Sequence, residues 1–273
     1  MPQNILQAIL ETKRKEVDEL RRRVQIEELI ERARAADRPR NFFSAVTRRT
    51  HRRANLIAEV KKASPSAGVI CPDFDPPMIA GQYAAAGASA LSVLTDATYF
   101  QGSLRDLEMA RAAVSIPVLR KDFIIDPYQV YQSRAAGADA ILLIAAALAP
   151  GTLADLMILA TELRMTTLVE VHGADELMQV RSMIGFPHAA YSLLGINNRD
   201  LGTFQVDIGT TIRLAELAGE GTPIVSESGI KTGDDVRRLA AVGVKAILVG
   251  ETLMRSGDVA REVEALLGPE ELP

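Results

Sequence analysis

A closed parallel barrel of eight strand–helix units, (β/α)8, carrying a helical extension at its N-terminus, is the α/β fold this sequence predicts. Three observations lead to it. Eight short apolar runs recur from residue 55 onward at about the spacing of a βα unit. Amphipathic stretches separate them, several ending at Gly87-Ala88, Gly137-Ala138 or Gly243-Val244, where glycine suits a helix C-cap. A chain of 273 residues, 48% hydrophobic and with no second composition class, has the size of one such barrel. A doubly wound open sheet is the structural alternative.

The elements follow in order. Asn4 to Arg23 reads as a helix, with Asn4 as its cap and Leu6, Leu10, Val17, Leu20 and Val24 near one stripe. Its segment Lys13–Arg23 mixes both signs of charge and reads as a solvated face, not an interaction tail. A second helix spans Ile26 to Ala36 and ends at Asp37-Arg-Pro-Arg. Residues 1–50 are thus expected to form an extension packed on a barrel of residues 51–273, within one structural domain. The predicted strands are Leu56–Val60, Ala90–Leu94, Pro117–Arg120, Ala140–Ile144, Thr167–Val171, Leu193–Ile196, Pro223–Ser226 and Ala246–Val249. Helical stretches between them include Ile79–Ala86, Leu104–Ala113, Thr152–Leu163 and Gly233–Ala241.

Composition excludes several classes. A formal net charge of -4 argues against a general nucleic-acid binder, which needs a basic face. The single cysteine, Cys71, rules out an internal disulfide framework and suits a reducing cytosol; with no cysteine partner it reads as inert. Met1-Pro-Gln-Asn does not open a signal peptide, and the apolar stretch Ala140–Ala149 is too short to span a membrane. A soluble, cytoplasmic protein is expected.

Chemistry in such a barrel sits at the C-terminal strand ends. Those ends carry Glu59 and Lys61, Lys121, Glu170, Asn197 with Arg199, Glu227 with Ser228, and Gly250 with Glu251. Period-two alternation puts Glu59 with Lys61, Leu168 with Glu170, Gly195 with Asn197, and Val225 with Glu227 on shared faces. Any one of these charges has a structural reading as a paired group. A whole ring of them converging on one face is what acid–base chemistry on an anionic or carbonyl-bearing small molecule requires. The last two βα loops, Ser226-Glu-Ser-Gly229-Ile and Leu248-Val-Gly250-Glu-Thr-Leu, suit a phosphate. Ser64, in a mobile-looking first loop, adds a hydroxyl. Phe100 and Phe123 stand near strand ends and suit the wall of an aromatic site, core filling being the alternative for Phe123. His51 and His188 read as surface. His172 follows Glu170 but points the other way by parity, which makes it a candidate to support the ring from behind. No cluster has metal-ligand spacing and no glycine run forms a nucleotide fingerprint, so neither metal nor cofactor is expected.

Together these stretches resemble the indole-3-glycerol-phosphate synthase family of tryptophan biosynthesis. The resemblance rests on Ile57-Ala-Glu-Val-Lys-Lys-Ala-Ser-Pro-Ser, Leu91-Ser-Val-Leu-Thr-Asp with Tyr99-Phe-Gln-Gly-Ser, and Pro117-Val-Leu-Arg-Lys-Asp-Phe-Ile-Ile-Asp-Pro-Tyr-Gln. It continues through Leu168-Val-Glu-Val-His, Gly195-Ile-Asn-Asn-Arg-Asp-Leu, Val225-Ser-Glu-Ser-Gly-Ile and Val249-Gly-Glu-Thr-Leu-Met. The stretch Gly185–Ser192 is the least familiar and is expected to lie away from the chemistry. The resemblance implies ring closure of 1-(2-carboxyphenylamino)-1-deoxyribulose 5-phosphate with loss of carbon dioxide and water. It makes Lys121 the general acid at the ketone oxygen and Lys61 the partner of the anthranilate carboxylate and an acid in dehydration. Glu170 takes a proton in dehydration, Glu59 orients the lysines, and Asn197, supported by Arg199, and Glu227 bind the ribulosyl hydroxyls. Ser64, Ser228, Gly229, Gly250 and Glu251, the last two through backbone, surround the phosphate, and Phe100 and Phe123 wall the aromatic ring. It also implies extra N-terminal helices that help close the substrate end, with other enzymes of the pathway as possible partners. The rivals are a phosphoribosylanthranilate isomerase-like barrel, which should use a cysteine and an aspartate, a Schiff-base aldolase, and a non-catalytic phosphate-binding barrel.

Overall fold

The computed structural model describes residues 5–269 apart from 184, 185, 187, 189, 201 and 204. Eight parallel strands close on themselves: β1 (Asn55–Val60), β2 (Ala90–Leu94), β3 (Val118–Lys121), β4 (Ala140–Ile144), β5 (Thr166–Val171), β6 (Ser192–Asn197), β7 (Ile224–Glu227) and β8 (Ala246–Val249). Each pairs with its sequence neighbour, and β8 returns to β1 with Asn55 opposite Ala246. The barrel is closed, which removes the open-sheet alternative. Pro117 and Pro223 fall just outside the strands because proline has no N–H to donate. Their carbonyls still accept, from Leu91 N at 2.9 Å and Leu194 N at 3.0 Å.

Period-two alternation divides the core in two. Leu56, Ala58 and Val60 of β1, with Leu91, Val93, Val169 and Ile196, face outward into the layer under the helices. Ile57, Leu119, Leu168, Leu193, Val225 and Leu248 face inward and fill the barrel. The helix-to-strand turns at Gly87, Gly137 and Gly243 have φ of 92°, 85° and 87°, the left-handed region where a side chain is strained.

The N-terminal segment reaches both ends of the barrel. It contains α1 (Ile5–Arg23), α2 (Ile26–Ala35) and α3 (Phe42–Thr47). The third helix was not expected from the sequence, because six residues are too few to show a periodicity. Asn41 caps it by accepting from Ser44 N at 2.8 Å. Its Phe42 and Val46 are fully buried within the inward-facing cluster and plug the N-terminal end of the barrel. Asn55 ties this plug down, its side-chain amide donating to the carbonyls of Val46, Arg48 and Lys245 at 3.0 to 3.1 Å. Asn4, read as the α1 cap, lies outside the described residues.

The solvated-face reading of Lys13–Arg23 needs correction at its first residue. Lys13 is only 3% exposed and its Nζ lies 2.9 Å from Asp96, 3.0 Å from Asp122 and 2.6 Å from Glu16. Helical geometry explains this, since Ile9, Lys13 and Val17 are four apart and share the buried stripe. Burial alone would lower the Lys13 pKa, but Asp122 and Asp96 outweigh it and hold the ammonium charged. The remaining charges of the segment are largely exposed, as expected. The first loop, read as mobile-looking, instead carries a small antiparallel hairpin pairing Ala63–Ser64 with Gly68–Val69.

Lys13→Met removes the cation that Asp96 shares with Asp122, leaving Asp96 buried without it. Chemical denaturation should show a loss of about 3–5 kcal/mol, the usual effect of breaking one side of a buried ion pair. A loss below about 1 kcal/mol would mean α1 docks by its apolar stripe alone.

Candidate active site

The strand ends converge on one cavity of about 1040 Å3 at the C-terminal mouth of the barrel. All fourteen residues singled out from the sequence line it, from Glu59 in β1 to Glu251 after β8. Its floor is apolar, with Leu142, Ile144 and Leu248 among the lining residues, and α1 adds Ile5, Leu6 and Ile9 as a wall. Those three were missed as site residues because an aliphatic stripe on a helix carries no sign of which surface it covers.

Each charged group stands on the inward face, two residues beyond an apolar residue that fills the barrel. Ile57 precedes Glu59, Leu119 precedes Lys121, Leu168 precedes Glu170 and Val225 precedes Glu227. Lys121 is the centre of the group. Its Nζ donates to Glu227 Oε2 at 2.5 Å and to Glu170 Oε2 at 3.4 Å. Burial works against the charged lysine, but Glu227, Glu170 and Glu59 outweigh it and push its pKa up. Burial also opposes the Glu170 carboxylate, yet Lys121, His172 and Asn197 hold its pKa down. Glu227 differs: burial and the charge of Glu170 push it up to about 7 despite the nearby lysine. Its Oε1 is buried with no hydrogen-bond partner, an acceptor available to a ligand hydroxyl. Lys61 pairs with Glu59 Oε1 at 2.5 Å, and Lys61 with Lys121 keeps the buried Glu59 ionised.

Two glycines make this crowding possible. A Cβ on Gly195 would meet Glu227 Oε1 at 2.5 Å, and one on Gly250 would collide with the Glu59 carboxylate. Gly250 was read as clearing space for a phosphate, and the structure adds a demand from inside the barrel.

Beyond β7 the backbone turns through two successive left-handed residues, Ser228 at φ 65° and Gly229 at φ 75°. A serine held there is strained, a feature that clusters at functional sites. The buried Asn198 secures the turn by donating to Ser228 O and Ser226 Oγ, both at 3.0 Å, while accepting from Thr211 Oγ1 at 2.8 Å. Asn198 was not among the sequence candidates, since it sits between Asn197 and Arg199 on the opposite parity. Arg199 N donates to Asn197 Oδ1 at 3.0 Å, fixing that amide. Phe100 and Phe123 stand 6.2 Å apart, ring centre to ring centre. Ser64 Oγ accepts from Ala67 N at 3.2 Å, and the Glu251 carboxylate pairs with Arg255 at 3.0 Å. His172 lies past the end of β5, where alternation no longer governs direction, and its ring swings back to Glu170. Among the described residues no group of three or more His, Cys, Asp or Glu could hold a metal ion, and no helix is long and apolar enough to cross a membrane. The described part of Gly185–Ser192 does not line the cavity.

The arrangement can pair an anion with a lysine, offer a carboxylate to hydroxyls, and donate and accept protons within a few ångströms. A family model described as indole-3-glycerol phosphate synthase matches residues 6–266. The indole-3-glycerol phosphate synthase of Rhodospirillum rubrum is 46% identical over 266 residues, covering 97% of this chain and 99% of that protein. That of Geobacillus kaustophilus is 48% identical over 267 residues, covering 98% of both. Among solved structures, a 3-hexulose-6-phosphate synthase superposes with a TM-score of 0.61 at 14% identity, over 78% of this chain and 97% of that one. A Pyrococcus furiosus thiamine phosphate pyrophosphorylase does so at 0.53 and 16%, over 79% and 95%. These two likenesses concern the fold alone.

Glu227 provides a direct check on the electrostatics. A carboxyl resonance in 13C-glutamate-labelled protein should titrate near about 7 and disappear in Glu227→Gln. Lys121→Met should move that midpoint upward, because burial and Glu170 then act unopposed. A pKa raised from 4.5 favours the fold below that value, and the contribution is lost as pH rises through about 7. A midpoint in the ordinary glutamate range would contradict the geometry.

Proposed function

Because this chain belongs to the indole-3-glycerol phosphate synthase family, we propose that the fourteen cavity residues carry out that family's ring closure in the roles set out below. The chain is an enzyme of tryptophan biosynthesis, a decarboxylating lyase acting on a small phosphosugar substrate. It converts 1-(2-carboxyphenylamino)-1-deoxyribulose 5-phosphate to indole-3-glycerol phosphate, carbon dioxide and water.

The observation that carries the assignment of roles is the Lys121 ammonium held between Glu227 and Glu170 over an apolar floor. The substrate has a carboxylate at one end and a phosphate at the other. Lys61 is the cation for the carboxylate, and the Ser228-Gly229 turn with the Gly250-Glu251 backbone and Ser64 receives the phosphate. Stretched between them, the chain folds so that the ring carbon meets the ketone, with Phe100 and Phe123 against the ring. Glu227 and Asn197 take the ribulosyl hydroxyls. Once Glu227 turns to a hydroxyl, Lys121 loses its strongest counter-charge and its pKa falls toward a value from which it can protonate the ketone oxygen. Glu170 then removes a proton during dehydration, Lys61 serving as the second acid. A Schiff-base aldolase fits the site less well, since attack on a carbonyl needs a neutral amine and Lys121 is held charged.

The test is incubation with the carboxyphenylamino substrate, following indole fluorescence and released carbon dioxide. Lys121→Met should lower kcat by about 10²–10⁴-fold, or more, while substrate still binds. Substantial retained activity would remove Lys121 from the acid role. Glu170→Gln should slow dehydration and let an earlier intermediate accumulate in single-turnover experiments. A borohydride-trapped lysine adduct would favour the aldolase.

A further inference from the structure

Proton bookkeeping in this reaction leaves one proton unaccounted for by the substrate. The benzoate group enters as a carboxylate and leaves as carbon dioxide, taking no proton with it. The ketone oxygen leaves as water and has gained two. The methylene between nitrogen and ketone loses one to Glu170 as the indole forms, which balances the one Lys61 gives the departing oxygen. The second must come from solvent in every turnover. In the reading above substrate lies across the mouth, so a route to Lys121 and Glu170 that avoids the opening would supply this proton without displacing substrate.

The structure offers a path from behind. Glu170 divides its two oxygens: Oε2 faces Lys121 at 3.4 Å, and Oε1 faces His172 Nε2 at 3.2 Å. The second contact is at ion-pair distance but at a poor hydrogen-bonding angle, so a small swing of the ring aligns it. On its other side His172 Nδ1 lies 3.3 Å from Glu176 Oε2, which also accepts from the His172 backbone N–H at 2.8 Å. Glu176 lies in the first turn of the helix Ala174–Arg181 and its side chain is 28% exposed, whereas His172 is 10% and Glu170 3% exposed. Exposure thus rises stepwise from the pocket to bulk water.

We propose that Glu176 and His172 form the route by which the solvent proton consumed in each turnover reaches Glu170 and Lys121. This rests on the ring-closure function given above. After Lys121 has given its proton to the ketone oxygen, its neutral amine is the strongest base in the cluster. Glu170, ionised at that point, takes a proton from His172 Nε2 on Oε1 and, by turning its carboxyl, hands it to that amine. A turn of the ring returns the remaining N–H to that side, and the vacated nitrogen is reprotonated from solvent through Glu176. The charged groups facing His172 are Glu170 and Glu176, with Asp200 farther off. Burial lowers the imidazole pKa, but the two glutamates raise it to about 10, so the ring holds a proton ready at neutral pH. His172 touches no substrate and is a relay, not a catalytic residue.

His172→Gln keeps a hydrogen-bond donor but cannot relay. Its kcat should fall about tenfold with KM within about twofold, a split that a binding or folding defect would not give. The deficit should widen from about pH 6 to 9, where solvent protons grow scarce, and imidazole buffer should restore rate in proportion to its protonated form. Glu176→Gln, at a half-buried position that leaves the core intact, should show a smaller version of the same pattern. Retention of more than about half of kcat by His172→Gln across that range, or a loss indifferent to imidazole, overturns the relay. Absence of product and carbon dioxide from the unaltered chain overturns the ring-closure function and the relay with it. Normal turnover with an unimpaired His172→Gln overturns the relay alone.

Discussion

One ammonium group placed between two carboxylates inside a closed barrel sets the terms for the rest of the site. Glu170 and Glu227 are buried and Lys121 is largely so, and none would be stable there as an isolated charge. Their mutual pairing is what lets the barrel carry charges one step above an apolar floor. Two positions, Gly195 in β6 and Gly250 just after β8, must then lack side chains, because the carboxylates of Glu227 and Glu59 occupy the space where a Cβ would go. The cluster is also unequal by construction. Glu170 is held ionised by Lys121 and His172, while Glu227 is left poised near neutrality with one oxygen unbonded. Environment has divided two chemically identical side chains into a base and a hydroxyl acceptor.

Two of the solved structures with this fold are 14% and 16% identical to the chain where they superpose. The barrel is compatible with many inward-facing sets, and the reaction resides in which side chains cap the strands. That division explains what the sequence revealed. Inward residues alternate strictly, so Ile57 and Leu119 announce where Glu59 and Lys121 point, and eight runs of the right length define the barrel. The ring of strand-end charges was legible because every member obeys one periodicity.

What was not legible depends on contacts between elements distant in the chain. Lys13 sits in a run of mixed charges and looks solvated until Asp96 and Asp122 are brought against it from the segments that follow β2 and β3. Asn198 has the wrong parity for the pocket, and its importance lies in the turn at Ser228 that it holds from behind. His172 lies just past a strand, where the rule that located its neighbour Glu170 stops applying. The plug helix α3 is short enough that its identity comes only from the hole it fills.

That plug has a bearing on how the chain is made. Phe42 and Val46 emerge from the ribosome before any strand, yet their seat needs Leu193, Val225 and Ala246 from the far end of the sequence. Asn55 likewise anchors the plug to Lys245, and Arg53 reaches the carbonyls of Leu266 and Leu267. These are contacts of nearly the longest sequence separation the molecule possesses, the kind that form last. Phe42 and Val46 therefore wait for their C-terminal partners until nearly all the strands have been made. The segment just before them is rich in both signs of charge along α1, a composition that opposes aggregation of exposed apolar residues.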